Sequence, residues 1–130
     1  MLIYICCAGG ATSSMFCQRI AEASNCHTYV DYVLEIINDI DRYIEEYDMV
    51  FVYGPASLLT PVNIKELKLD QRITAILIAP QVRFITPKTK TLFEQYNIPV
   101  EDIDFLTFGR MDGEKGYQAI MKMIQKSTIQ

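Results

Sequence analysis

No stretch of this sequence stays apolar for the roughly 18–20 residues that a bilayer requires, so no membrane span is expected. The opening MLIYICCAGG lacks a basic start and a small-residue cleavage site in the right place, so no signal peptide is expected either. Excess positive charge is missing as well. The formal net charge is −4, which argues against a nucleic-acid binder, whose phosphate contacts need a basic surface. The four cysteines, Cys6, Cys7, Cys17 and Cys26, show no CxxC spacing, which disfavours a zinc site or a thioredoxin-type redox pair. Cys6 and Cys7 are neighbours in an expected strand, where successive side chains point to opposite faces, so they cannot easily bridge each other. Free thiols suit a reducing compartment. Together these absences describe a soluble, cytoplasmic protein.

What is present is enough for one domain spanning residues 1–130. Half of the residues are apolar, so a core can form without disulfides or metal staples. Apolar runs alternate with helical patterns. The run LIYICC from Leu2 reads as a buried strand that ends at Gly9-Gly10, and a helix is expected from about Ser13 to Ala23. Thr28 to Tyr32 reads as a short strand. Val33, Ile36, Ile37, Ile40, Ile44 and Tyr47 then recur at helical spacing. Met49 to Tyr53 reads as a strand stopped by Gly54-Pro55, with a short helix between Pro61 and Leu69. A strand from Ile73 to Ala79, a helix from Lys88 to Tyr96, a strand from Val100 to Asp104 and a closing helix marked by Tyr117, Ile120, Met121 and Ile124 complete the chain.

Strand and helix alternating throughout imply right-handed crossovers and an α/β, doubly wound, flavodoxin-like parallel sheet. Four to five strands in the order 2-1-3-4(-5), with helices on both faces, are expected. In such sheets chemistry gathers at the carboxyl ends of the strands, beside the topological switch, and Cys7 falls there. VFVYGPASLLTP (Val50 to Pro61) also resembles ILIAPQVRFITP (Ile76 to Pro87). The echo records either a duplicated βα unit or two strands that both end in a proline-containing turn.

The segment Cys7-Ala8-Gly9-Gly10-Ala11-Thr12-Ser13-Ser14 joins the first strand to the first helix. Small residues let the backbone curl until successive N–H groups point inward as an anion nest. The helix beginning near Ser13 adds its unpaired N–H groups and the positive end of its dipole. Thr12, Ser13 and Ser14 add hydroxyl donors. A thiol at the mouth of such a cradle should ionise readily and attack phosphorus, with the same donors stabilising the equatorial oxygens. The residues by themselves also fit an ordinary glycine-rich turn with a buried cysteine. Two related chemistries are disfavoured. A Walker A loop ends in Gly-Lys-Ser/Thr, and this loop has no lysine. A Cys-x5-Arg phosphatase or arsenate reductase needs an arginine where Ser13 stands.

The loop resembles the Cys-x-x-Gly-x-Ser/Thr-Ser/Thr-Ser active-site loop of lactose/cellobiose-family IIB components of the bacterial sugar phosphotransferase system, with Cys7, Gly10, Thr12, Ser13 and Ser14 on the motif. Taking Cys6 as the active residue would misplace the glycine and the final serine. Ala79-Pro80-Gln81-Val82-Arg83 is similar to the family's Gly-Pro-Gln-Val/Ile-Arg turn. Ile98-Pro99-Val100, Ile103-Asp104 and Phe108-Gly109-Arg110-Met111-Asp112-Gly113 follow its C-terminal pattern in order and spacing. The resemblance covers residues 1 to about 25 and 73 to 126. The family's members usually run nearer 100 residues with four strands, so an extra βα unit is expected around 49–70, and the family's glycine before Pro80 is Ala79 here.

The resemblance implies a phosphotransferase acting through a phosphocysteine. A IIA partner presents a phosphohistidine. Cys7 takes the phosphoryl group, held by a loop of Ala8, Gly9, Gly10, Ala11, Thr12, Ser13 and Ser14. It then passes the group to a sugar, a β-glucoside or other disaccharide, bound by the membrane component IIC, where the protein would lie transiently at the inner face of the membrane. No metal and no organic cofactor is implied. Pro80, Gln81 and Arg83 are candidates for partner or secondary contacts, although Arg83 also reads as a solvated residue at a helix start. The extra unit feeds an alternative, a non-catalytic regulatory or binding domain that retains the fold. The single histidine, His27, reads as exposed filler at the opposite end of the sheet, Asp112 as an N-cap, and Cys17 and Cys26 as small buried or half-buried residues.

Overall fold

Five apolar runs form strands that pair in parallel: β1 (Leu2–Cys6), β2 (Thr28–Tyr32), β3 (Met49–Gly54), β4 (Ile73–Ile78) and β5 (Val100–Asp102). The computed structural model describes residues 1–8 and 11–129, the last two of these as backbone only. Strand periodicity sends alternate side chains to opposite faces. Leu2, Tyr4 and Cys6 join Val50, Val52, Ile76 and Ile78 in one core, while Ile3, Ile5 and Cys7 join Phe51, Leu77 and Ala79 in the other.

Each face is closed by its own helices. The Ile3–Ile5 face is covered by α1 (Ala11–Ser24), the short α7 (Phe105–Gly109) and α8 (Gly113–Ile129), through Phe16, Ile20, Phe108 and Ile120. The Tyr4 face is covered by α2 (Val33–Ile36), α3 (Ile40–Glu46), α4 (Pro61–Glu66), α5 (Leu69–Arg72) and α6 (Thr86–Glu94), through Val33, Ile40, Ile64, Leu69 and Phe93. Ile3, Ile5, Phe16 and Phe51 are at 0 % exposure. Burying each such side chain contributes roughly 1.5–3 kcal/mol, which is what holds helices of this length to the sheet. Side-chain caps set three starts: Thr60 accepts from Asn63 N–H, Asp104 from Thr107 N–H, and Asp112 from Lys115 N–H.

The doubly wound parallel sheet with helices on both faces is as expected, but the place of β3 is not. The observed order is β2-β3-β1-β4-β5, so β3 enters between β2 and β1 instead of following β1 on its far side. Without β3 the order is β2-β1-β4-β5, the 2-1-3-4 arrangement expected of a four-stranded sheet. Burial patterns could not tell the two five-stranded orders apart. In both, β2 and β5 are edges, β1, β3 and β4 are interior, and right-handed crossovers put the same helices on the same faces.

Smaller differences have local causes. The helical pattern from Val33 to Tyr47 is broken by a 3-10 turn at Ile37–Asp39, with no proline or glycine to announce it. The first helix begins at Ala11 and the strand before it ends at Cys6. The last strand stops at Asp102 because Asp104 is already a cap. The two proline-containing turns read at the strand ends are 3-10 turns, Ala56–Leu58 and Pro80–Ile85, while α7 was not expected as a helix.

Candidate active site

β1 lies at the centre of the sheet, between β3 and β4. Its outgoing loop leads to α1 on one face, whereas the segments leaving β3 and β4 lead to helices on the other. Outgoing chain therefore parts to opposite faces on both sides of the carboxyl end of β1, which is where parallel sheets open a crevice. Cys7 is the first residue beyond that end.

Two backbone hydrogen bonds hold it there. Cys7 N–H donates to Gly54 O at 2.9 Å, and Ala79 N–H donates to Cys6 O at 2.8 Å. The chain is thus pinned to β3 on one side and to β4 on the other at the residue where it leaves the sheet. Cys7 shares the α1-side core with Phe16 and Cys17 and is 3 % exposed. A group carried at such a position is shielded from bulk water.

Of the expected loop, Ala8 is exposed, while Gly9 and Gly10 lie outside the described residues. Ala11, Thr12, Ser13 and Ser14 form the first turn of α1. The N–H groups that open a helix have no intrahelical acceptor, so Ala11, Thr12 and Ser13 carry the donors and the positive dipole end that an anion would meet. Thr12 is exposed, Ser14 half-buried and Ser13 buried at 3 % exposure. Pro80, Gln81 and Arg83 stand on the turn directly after Ala79, beside the end of β1, and Gln81 and Arg83 are exposed.

The other thiols differ in kind. Burial first, and then the charge of a Cys7 thiolate, pushes Cys6 up to about 12. The same two causes, in the same order, push the fully buried Cys17 higher still. Cys26 is exposed, which corrects its reading as a buried or half-buried residue. His27 lies before β2, at the amino end of the sheet, and packs against Tyr47 at a tilt with centroids 4.5 Å apart, remote from Cys7. Asp112 is the cap it was expected to be.

Residues that hold Cys7 escaped the sequence reading. Gly54 and Pro55 counted only as a strand stop, yet Gly54 O is the acceptor for Cys7 N–H. Tyr4, a phenol inside an otherwise apolar strand, was a visible signal: it is 1 % exposed and donates its hydroxyl to Pro55 O at 2.8 Å.

Several large exposed apolar side chains, Leu34, Phe84, Phe105 and Leu106 among them, follow closely on the carboxyl ends of strands. Met15 and Val62 are also exposed, further along segments that leave such ends. Two concavities are present. One of about 350 Å³ is lined by Lys90, Asn97, Val100 and Lys126; one of about 650 Å³ is lined by Ala56, Leu59, Pro61, Ile85 and Leu92. Cys7 lines neither.

No family model matches the chain. It is 35 % identical over 72 residues to the oligo-beta-mannoside-specific EIIB component of the phosphotransferase system of Bacillus subtilis (strain 168), covering 55 % of this chain and 70 % of that relative. Two solved structures share the fold. One is the cellobiose-specific phosphotransferase IIB component of Borrelia burgdorferi, with a TM-score of 0.62 and 21 % identity over 98 % of this chain and 94 % of the other. The second is the lactose-specific IIB component domain of the phosphoenolpyruvate:carbohydrate phosphotransferase system of Streptococcus pneumoniae, with a TM-score of 0.61 and 16 % identity over 95 % and 96 % of the two chains.

Proposed function

The chain belongs to the IIB components of the lactose/cellobiose family and is a phosphocarrier of a sugar phosphotransferase system, and from that premise we propose that Cys7 is the residue that carries the phosphoryl group. The observation that carries this reading is the position of Cys7 in the crevice at the carboxyl end of the central strand, four residues before the first residue of α1.

In the proposed cycle a IIA protein brings a phosphohistidine to the crevice. The Cys7 thiolate attacks phosphorus in line, an S–P bond forms, the N–P bond breaks, and the electron pair stays on the histidine nitrogen. The helix-opening N–H groups of Ala11, Thr12 and Ser13 and the hydroxyls of Thr12, Ser13 and Ser14 stabilise the equatorial oxygens, with Ala8, Gly9 and Gly10 completing the loop. In the second transfer a sugar hydroxyl held by the membrane component IIC attacks the same phosphorus and gives up its proton to a base on IIC or to water, the S–P bond breaks and the thiolate is restored. The relatives named for an oligo-beta-mannoside, cellobiose and lactose support a β-glucoside or other disaccharide as the acceptor. The raised values of Cys6 and Cys17 support Cys7 over its neighbours, since protonated thiols are poor nucleophiles.

Exposed apolar side chains close behind the carboxyl ends of strands suit a protein that docks two partners in turn at one sulfur. Pro80, Gln81 and Arg83 lie on the turn after β4 and are proposed as partner contacts. Among the described residues no helix is long and apolar enough to cross a membrane, so the protein would meet IIC at the inner face of the membrane by docking. The segment from 49 to 70 is proposed to be a βα unit added to a four-stranded domain.

The test is to incubate the protein with phosphoenolpyruvate, the general phosphotransferase proteins and candidate IIA partners, and to locate the label by mass. One phosphorylated cysteine is expected, lost in Cys7→Ser and kept in Cys6→Ser. A label that survives in Cys7→Ser removes the assignment.

A further inference from the structure

Cys7 is the last residue of its strand segment to donate to the sheet, and a loop of small residues follows it. Small side chains cannot wedge a backbone in place, so the position of the sulfur depends on what holds the chain just before the loop. On the β3 side that is a single bond, Cys7 N–H to Gly54 O at 2.9 Å.

Gly54 is itself held. Its neighbour Pro55 has no N–H to give, and the carbonyl of Pro55 takes the hydroxyl of Tyr4 at 2.8 Å and, more weakly, Leu58 N–H at 3.3 Å. Tyr4 comes from β1, three residues before Cys7 and on the opposite face of the sheet. β1 therefore reaches across to the exit of β3 with a side chain, and the exit of β3 reaches back to β1 with a backbone carbonyl. The junction is also tight. A Cβ at Gly54 would lie 2.6 Å from Tyr4 Oη and 2.5 Å from Val33 Cγ1, so glycine is the residue that lets the phenol and the turn meet.

We propose that Tyr4, with Gly54 and Pro55, positions Cys7 for phosphoryl transfer, Tyr4 being a positioning residue that acts through the β3 exit turn. The inference rests on the reading of Cys7 as the phosphoryl carrier and adds the residues that aim it. It also gives the 49–70 segment a role, since β3 supplies the carbonyl that anchors Cys7. The hydroxyl is suited to the task. Burial foremost, then the charges of Cys6, Cys7 and Tyr32, push Tyr4 well above the ordinary phenol range, so it remains a donor whatever the state of the neighbouring thiols. Aim matters because in-line transfer is sensitive to sub-ångström misplacement of the nucleophile.

Tyr4→Phe removes the hydroxyl and leaves the buried ring. In single-turnover transfer from a phosphohistidine-bearing IIA protein, the rate at saturating donor is expected to fall about tenfold, the scale of one lost hydrogen bond, while the half-saturating donor concentration moves less than about twofold. Hydrogen exchange of the Cys7 amide, followed by NMR, is expected to accelerate by a similar factor. Gly54→Ala, which keeps the hydroxyl and displaces the turn, is expected to produce the same pair of changes. A purely structural hydroxyl would lower the melting temperature and leave both readouts of the folded protein unmoved, and that result overturns the proposal. If the wild-type protein forms no phosphocysteine at Cys7, the carrier reading falls and this inference with it. Normal labelling of the wild type together with unimpaired Tyr4→Phe overturns this inference alone.

Discussion

Three thiols crowd the end of β1, and their surroundings divide the work among them. Cys6 faces the Tyr4-side core at 0 % exposure, and burial is the first reason that its thiol titrates near 12 and not near the 9 of a free thiol. This has a consequence for stability. Between those two values the unfolded chain has lost a proton that the folded chain still holds, so stability is full below about pH 9 and declines as pH rises toward 12. Tyr4, also raised, adds to the decline from about the ordinary phenol value upward. Cys6→Ala is expected to flatten the alkaline slope of denaturation midpoints measured across this window. An unchanged slope would mean that Cys6 titrates normally. Because Cys6 is off the motif and on the wrong face, the same variant is expected to keep most of the phosphoryl acceptance of the wild type.

At the scale of elements, the position of α1 decides where its first turn meets the carboxyl end of β1, and α8 is what sets that position. Gly113 opens α8 against the backbone of α1: a Cβ there would lie 2.1 Å from Arg19 O, so neither helix could keep its place. Gly113→Ala is expected to cost about 1–3 kcal/mol in denaturant unfolding, the usual range for overpacking. It should also slow transfer to Cys7 in the folded fraction, because α1 must move. Asp112→Ala offers the contrast. It removes the cap on Lys115 N–H without adding bulk, and should cost ~1 kcal/mol with transfer unchanged. Equal effects of the two substitutions on transfer would separate the α1–α8 contact from the chemistry.

Across the whole molecule, several exposed apolar side chains follow closely on the carboxyl ends of strands. Phe84 is 78 % exposed and stands on the turn leaving β4, the neighbour of β1; Phe105 is 71 % exposed and opens α7 just after β5, the next strand out. Side chains this exposed add little to folding, so Phe84→Ser and Phe105→Ser should change stability by less than about 0.5 kcal/mol. At a docking surface an aromatic anchor contributes on the order of 2 kcal/mol, so each substitution is expected to weaken IIA binding at least about tenfold by titration calorimetry. Affinity retained in both variants would place the docking surface elsewhere.

Periodicity and small-residue spacing were enough, read from the sequence, for the parallel α/β architecture, the five strands, the two helical layers and Cys7 at the end of the first strand. These follow from local rules: alternate burial along LIYIC, helical spacing at Phe16 and Ile20, and a cysteine placed where a strand meets a glycine-rich turn. The register of the resembling motif is also what favours Cys7 over Cys6 as the proposed carrier. What only the tertiary structure decided was which strands became neighbours of β1. Insertion of β3 between β2 and β1 leaves edges, interior strands and helical faces as they would be in the alternative order, so no pattern of apolar residues records it. That choice brings Gly54 O to Cys7 N–H and Pro55 O to Tyr4, residues about fifty positions apart in the chain. Their meeting is a property of strand pairing, which depends on long-range packing and leaves no local trace in residue order.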